Sequence, residues 1–310
     1  MNLDRVERLI GSDNLSLLKG KCVGIVGLGS GGGFVALTLA MSGVGKFVLV
    51  DDDLLESTNI ARHVADSRYI GQPKAQAVAE LIRARNPDAQ IETRFGRIEQ
   101  HMDALDGIDL LISGVDGEGP KYVLNEACLK RNLTAVYAGV YERGEGGDVV
   151  VIHPYNGPCY ACWAAELREG LAISNLAPGE ELDYGMIGKD GTLEAEPGLW
   201  LHVVRVAATQ ADLALNELLA TTTIYKHMPA NTVILANTAL EILSGQMSQP
   251  YSAEWVNIER DPNCLVCGDA LRNDLSSEAG SHISLDDLMT STGLTLEGNA
   301  EENEQSNTHK

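Results

Sequence analysis

Positive charge is scarce in this chain: 23 lysines and arginines stand against 44 aspartates and glutamates, a formal charge of −21 at pH 7. A protein that grips nucleic acid over a broad surface needs a basic footprint to displace phosphate counterions. That function class is excluded, although a small local cluster of cations, enough for a nucleotide, is not. Long apolar runs are missing too. The most apolar stretches, Lys21 to Leu28 and Val48 to Val50, are short and broken by glycine or charge, whereas a spanning helix takes 18 or more apolar residues. The first residues show no succession of basic, apolar and small positions of the kind that directs secretion. The expectation is a cytoplasmic, reducing compartment and no membrane. Cysteine is sparse and unevenly spread: none of the six lies between 163 and 263. Cys22 and Cys128 sit in apolar or amphipathic stretches and read as core.

What is present is alternation. Apolar runs at Cys22 to Gly27, Lys46 to Val50, Gly107 to Ser113 and Leu133 to Ala138 read as strands, and Gln90 to Arg94 as a further strand. Between them, Phe34 to Ser42, Lys74 to Arg85 and Lys121 to Lys130 have helical periodicity. This pattern predicts an α/β fold, a Rossmann-like, mostly parallel sheet covered by helices, with an antiparallel extension at Gly147 to His153. Trp200 to Leu219 and Val233 to Leu243 are expected to be helices, and Tyr251 to Glu259 a strand. Glycines, prolines and acids from about 171 to 198 suggest a crossover loop. Residues 1–267 read as one catalytic domain. The rest, 268–310, holds nine acidic residues against Arg272 and Lys310 and is expected to be a disordered tail.

Gly27-Leu-Gly-Ser-Gly-Gly32 follows the first strand and opens the first long helix. In such a turn Gly27 permits the tight reversal, Gly29 lets a ligand reach the backbone, and Gly32 allows close helix–strand packing. The helix start offers N–H groups to an anion. Asp51, at the end of the next strand, suits ribose hydroxyls in either NAD or ATP. Arg62 and Lys74 place two cations shortly after it, and Asp116 ends a later strand. Arg62 can hold phosphate oxygens bidentately, Lys74 acts as a point charge, and Asp116 can hold Mg2+ on phosphates. Taken singly, Arg62 can instead pair with Asp66, Lys74 be an ordinary first-turn residue, and Asp116 cap a helix. Taken together they favour a phosphate-rich ligand over a nicotinamide. The remaining four cysteines, Cys159/Cys162 and Cys264/Cys267, form two Cys-x-x-Cys pairs. Either alone suits a redox pair or chance spacing; together they supply the four thiolates of a closed tetrahedral Zn2+ site, structural rather than chemical.

These motifs carry a resemblance. The chain resembles the ThiF/MoeB/E1-like superfamily, which activates ubiquitin-like and sulfur-carrier proteins at their C-terminal glycine. The resemblance covers about residues 1–268. It rests on Gly27-Leu-Gly-Ser-Gly-Gly, Leu49-Val-Asp51-Asp-Asp53, Ser57-Thr-Asn59-Ile-Ala-Arg62-His63, Gly71-Gln-Pro-Lys74, Asn86-Pro87 and the two cysteine motifs. It implies an adenylation domain over 1–267 that binds ATP and Mg2+ and adenylates a C-terminal carboxylate, releasing pyrophosphate. By the resemblance, Asp51 contacts ribose, Asp53 lies near the phosphates and Mg2+, and Asn59, Arg62 and Lys74 contact phosphate. Asp116 matches the metal-associated aspartate, though Gly117 stands where much of the family has asparagine. A homodimer is implied, with Arg5 or Arg8 reaching a partner's ATP site. Because 163–263 lacks the loop cysteine of some relatives, the chemistry stops at the acyl adenylate or an acceptor enzyme supplies the cysteine. The competing readings are adenylation of a small-molecule or tRNA-linked carboxylate, a non-catalytic nucleotide-binding scaffold, and an NAD oxidoreductase.

Overall fold

The computed structural model describes residues 1–167, 185–187, 193–195, 198–243 and 246–269. Two short helices, α1 (Asp4–Ile10) and α2 (Ser12–Gly20), precede a regular alternation: β1 (Cys22–Val26), α3 (Ser30–Met41), β2 (Lys46–Asp51), α4 (Lys74–Arg85), β3 (Gln90–Phe95), β4 (Leu110–Ser113), α5 (Glu118–Arg131) and β5 (Ala135–Val140). Then come β6 (Gly146–Ile152), α6 (Tyr160–Leu167), a small antiparallel pair β7 (Gly185–Ile187) and β8 (Leu193–Ala195), and the long α7 (Trp200–Leu218). The last elements are β9 (Thr232–Ala236), the pair β10 (Glu241–Leu243) and β11 (Gln246–Met247), and β12 (Ala253–Val256).

Eight strands form one sheet in the order β12-β9-β6-β5-β4-β1-β2-β3. The five from β3 to β5 are parallel, and β6, β9 and β12 extend it antiparallel. Both faces are covered, which is why the inner strands β1, β2, β4 and β5 read as nearly continuous apolar runs, whereas the edge strand β3 is mixed and has no buried residue. On one face Val23, Ile25, Phe47, Leu110, Ile112 and Val136 pack with Val35, Leu39, Val78 and Val206 of α3, α4 and α7. On the other, Val26, Leu111, Ala135, Tyr137 and Ile234 pack with Leu124 and Cys128 of α5 and Tyr160 and Trp163 of α6. Strand order reverses at β1, between β2 and β4, leaving a crevice beyond the carboxyl ends of β1 and β4 where α/β sheets bind ligands.

The parallel sheet, its helical cover and the antiparallel extension are as the sequence predicts. The expected helix over Val233–Leu243 is wrong. Thr232–Ala236 is β9, buried along its whole length between β6 and β12, and a separate strand, β10, follows. Val-Ile-Leu-Ala fits either state by periodicity alone, and β-branched side chains buried on both faces favour the strand. The chain leaves β9 at Asn237, whose side-chain N–H donates to the Gly144 carbonyl at 2.7 Å. The expected tail, 268–310, lies outside the described residues from 270 onward, as does most of the crossover segment. No described helix is long and apolar enough to cross a membrane.

Candidate active site and metal centre

The crevice at β1 and β4 is built by interlocking glycines. Gly27 turns the chain at φ +86°, and a Cβ there would lie 2.5 Å from the Gly114 backbone at the end of β4. A Cβ on Gly32 would overlap the Gly27 carbonyl oxygen. Gly29 is different: a Cβ on it meets nothing within 4 Å. Two of the glycines are thus required by neighbouring backbone, while the third faces open space, as a turn that takes a ligand against its backbone needs. The first turn of α3, from Ser30, leaves N–H groups without intrahelical acceptors there.

A chain of hydrogen bonds runs outward from this turn. Asp51, 8 % exposed, accepts the Leu28 N–H at 2.6 Å and the Asp53 N–H at 2.9 Å. Burial pushes its carboxyl above the ordinary value of 3.8, against the pull of those two N–H groups and of Lys74. Lys74 Nζ donates to Asp53 at 2.6 Å, and its own N–H reaches the Asp53 carbonyl at 3.0 Å. Asn59 accepts the Glu56 N–H at 2.9 Å and so holds the short helical turn Ser57–Arg62. Arg62 is exposed and makes no hydrogen bond or ion pair among the described residues; Asp66 pairs bidentately with Arg68 instead. Asp116 is exposed two residues past Gly114 and does not cap α5, which begins after Gly117 without a side-chain cap. The two structural alternatives for Arg62 and Asp116 are therefore not realised.

The sequence assigned no role to His63, Gly114 or Gln210. The buried His63 ring accepts the Ala65 N–H on Nδ1 at 3.0 Å and donates from Nε2 to the Leu28 carbonyl at 2.7 Å. Burial lowers its pKa from the ordinary 6.5. Gln210 of α7, also buried, donates to the carbonyls of Ser113 and Val136 and joins the last residue of β4 to the start of β5. Gly114 was legible as a glycine directly after a strand; Gln210, one polar residue in a long amphipathic helix, carried no signal. A hollow of about 310 Å³ lined by His153, Gly157, Asn231 and Arg260 lies where β6 ends and β9 begins. Antiparallel pairing puts it at the opposite end of the sheet from Gly27.

The four cysteines converge. Cys159 lies 3.8 Å from both Cys162 and Cys264, and Cys162 lies 3.4 Å from Cys267, Sγ to Sγ. All four sulfurs fall within 4.8 Å of one another. Tetrahedral Zn–S bonds of about 2.3 Å put sulfurs about 3.8 Å apart, close to the separations of the converging thiols, so the donor set suits zinc. Burial is the chief cause that pushes the free Cys162 thiol up to about 11; a bound cation reverses that. Tyr160, inside the first pair, receives support from α5: its N–H donates to Asn125 at 2.9 Å and its hydroxyl to Glu118 at 2.8 Å. Cys128 is 2 % exposed, with burial pushing its thiol up to about 12, which makes it no nucleophile.

Comparison with known proteins agrees with this architecture. The ThiF family model matches residues 3–259. The SAMP-activating enzyme E1 of Haloferax volcanii is 28 % identical over 281 residues, 86 % of this chain and 89 % of that protein. The ubiquitin-like modifier-activating enzyme 5 of Drosophila ananassae is 32 % identical over 159 residues, 47 % of this chain but only 40 % of that protein. Among solved structures, E. coli MccB with ATP superposes with a TM-score of 0.60 at 19 % identity, over 82 % of this chain and 68 % of that one, a likeness of fold.

Proposed function

Since the chain belongs to the ThiF family and is an E1-like adenylyltransferase, we propose that it adenylates the C-terminal carboxylate of a ubiquitin-like or sulfur-carrier protein or peptide. The observation that carries this reading is the set of groups beyond the ends of β1, β2 and β4: an open Gly29, a half-buried Lys74, an unpaired Arg62 and an exposed Asp116. The name of the Drosophila relative supports a ubiquitin-like partner.

In the reaction a carboxylate oxygen attacks the α-phosphorus of ATP, the bond to the bridging oxygen breaks, and pyrophosphate leaves. A carboxylate needs no general base, so the rate comes from alignment and from neutralising charge. The turn from Gly29 holds the nucleotide against backbone N–H groups, and Asp51 presents its remaining lone pairs to ribose. Lys74, held by Asp53, and the free Arg62 guanidinium balance charge on the phosphates. Asp53 and Asp116 would hold Mg2+, which would supply charge screening on the triphosphate. Cys159, Cys162, Cys264 and Cys267 would hold Zn2+, which would tie α6 to the segment after β12 as a structural cross-link. With four thiols in the metal set and Cys128 buried, the chemistry on this chain ends at the acyl adenylate, or an acceptor enzyme supplies the nucleophile that takes the acyl group. A second copy of the chain, lending Arg5 or Arg8 of the exposed α1, completes the ATP site.

Exchange of labelled pyrophosphate into ATP tests this. It is expected to require a carrier with a free C-terminus and to vanish when that carboxylate is amidated. Exchange supported equally by a small carboxylic acid, retention of tRNA at physiological salt, or ATP binding without exchange in the presence of carrier would overturn it.

A further inference from the structure

We propose that His63 is a positioning residue for the nucleotide turn, acting through one hydrogen bond to the Leu28 carbonyl. The inference rests on the nucleotide occupying the Gly27–Gly32 turn. Leu28 is buried and its peptide groups are held from two sides: its N–H by Asp51 of β2 at 2.6 Å, its carbonyl by His63 at 2.7 Å. Leu28 immediately precedes Gly29, where the open space begins. A residue fixed at both its N–H and its C=O sets the direction in which the next N–H groups point, and an anion site preset in this way binds without a reordering cost.

The ring's protonation pattern is decided by its partners. Because Ala65 N–H donates to Nδ1 at 3.0 Å, Nδ1 is an acceptor, and the proton sits on Nε2, where it meets Leu28. With a proton only on Nε2 the ring is neutral, and both its nitrogens are taken up by backbone groups of the protein. Room for it comes from Gly33: a Cβ there would lie 3.4 Å from His63 Nε2 and 3.3 Å from the Leu28 oxygen. The interaction spans 35 residues of sequence. It joins the Arg62 segment to the glycine turn, so the free arginine and the turn are held in a fixed relation.

Two near-isosteric substitutions separate the two ring nitrogens. In His63→Gln the longer side chain's amide nitrogen can stand in for the ring Nε2, so the bond to the Leu28 carbonyl is kept. In His63→Asn the shorter side chain's amide oxygen can stand in for the ring Nδ1, so only the bond to Ala65 is kept. Binding of Mg-ATP alone is measured by calorimetry on the intact zinc-loaded chain. His63→Gln is expected to bind within about threefold of wild type and His63→Asn about tenfold more weakly, the worth of one hydrogen bond. In pyrophosphate exchange the KM for ATP rises in His63→Asn while kcat holds. Equal binding by both variants, or the reverse order, overturns the proposal. If neither variant folds, long-range 1H–15N spectra of the wild type decide: an Nε2-protonated ring whose signals shift on adding Mg-ATP supports it, and an Nδ1-protonated or unresponsive ring sinks it. Failure of the wild type itself to bind Mg-ATP would instead overturn the nucleotide site.

Discussion

Gly29→Ala and Gly32→Ala lie in the same turn and should fail in different ways. At Gly32 the added methyl lands on the Gly27 carbonyl oxygen, well inside the 3.0 Å below which something must shift. The obstacle is backbone, itself wedged against Gly114, so no flexible side chain can give way. Overpacking of this kind costs about 1–3 kcal/mol or more. At about 2–4 °C per kcal/mol for a domain of this size, the melting temperature falls by roughly 2–12 °C. At Gly29 the methyl enters open space, and the change in stability stays within about 1 kcal/mol, with a contribution from the stiffer unfolded chain. The methyl does occupy the approach to the turn, and Mg-ATP binding is expected to weaken about tenfold or more, about 1.4 kcal/mol. Differential scanning calorimetry with and without Mg-ATP reads both effects at once: Gly32→Ala lowers the apo melting point, and Gly29→Ala keeps it but loses the ATP-induced rise. A Gly29→Ala chain that binds Mg-ATP like wild type would refute the cradle, and a Gly32→Ala chain as stable as wild type would refute the interlock.

Purified chain is expected to carry one zinc, read by metal analysis; Cys159→Ser or a strong chelator removes it and lowers the melting temperature with loss of the fold around α6. Arg62→Ala should leave stability within about 0.5 kcal/mol, since the side chain has no partner among the described residues; its effect is expected in exchange activity, about 100-fold in kcat/KM, and an unchanged rate would remove Arg62 from the site. Stability should depend on pH below neutrality through His63, whose neighbour Lys74 of α4 adds to the effect of burial. Its folded pKa lies below 6.5, so between those two values the unfolded chain binds more protons and stability rises with pH. The stabilisation is complete above 6.5 and is lost as pH falls to the folded pKa. Asp51 acts oppositely: its pKa is raised, the folded chain binds more protons just above 3.8, and stability declines as pH rises there. Urea midpoints of wild type and His63→Gln between pH 5 and 7.5 check the first window; equal slopes would exclude His63 as its source.

Much of this protein is determined by local pattern. Strand–turn–helix order, the Gly27 turn and the spacing within each cysteine pair are written in short stretches, because a buried parallel strand must be apolar and a tight turn against backbone needs glycine; that the two pairs converge on one four-sulfur cluster is seen only in the structure. Where two solutions satisfied the same pattern, as at Val233–Leu243, only burial between β6 and β12 decided for a strand. Partnerships across long separations were likewise beyond local reading. Gly114 against Gly27, Gln210 on two strand ends and His63 on the Leu28 carbonyl join residues from different elements. Nothing in the identity of a glycine, glutamine or histidine names its partner until the sheet order places them together. The sequence by itself determined which groups could meet a nucleotide and a metal. The tertiary structure alone decided which backbone atoms those groups hold in place, since that depends on the strand reversal at β1 bringing distant segments to one crevice.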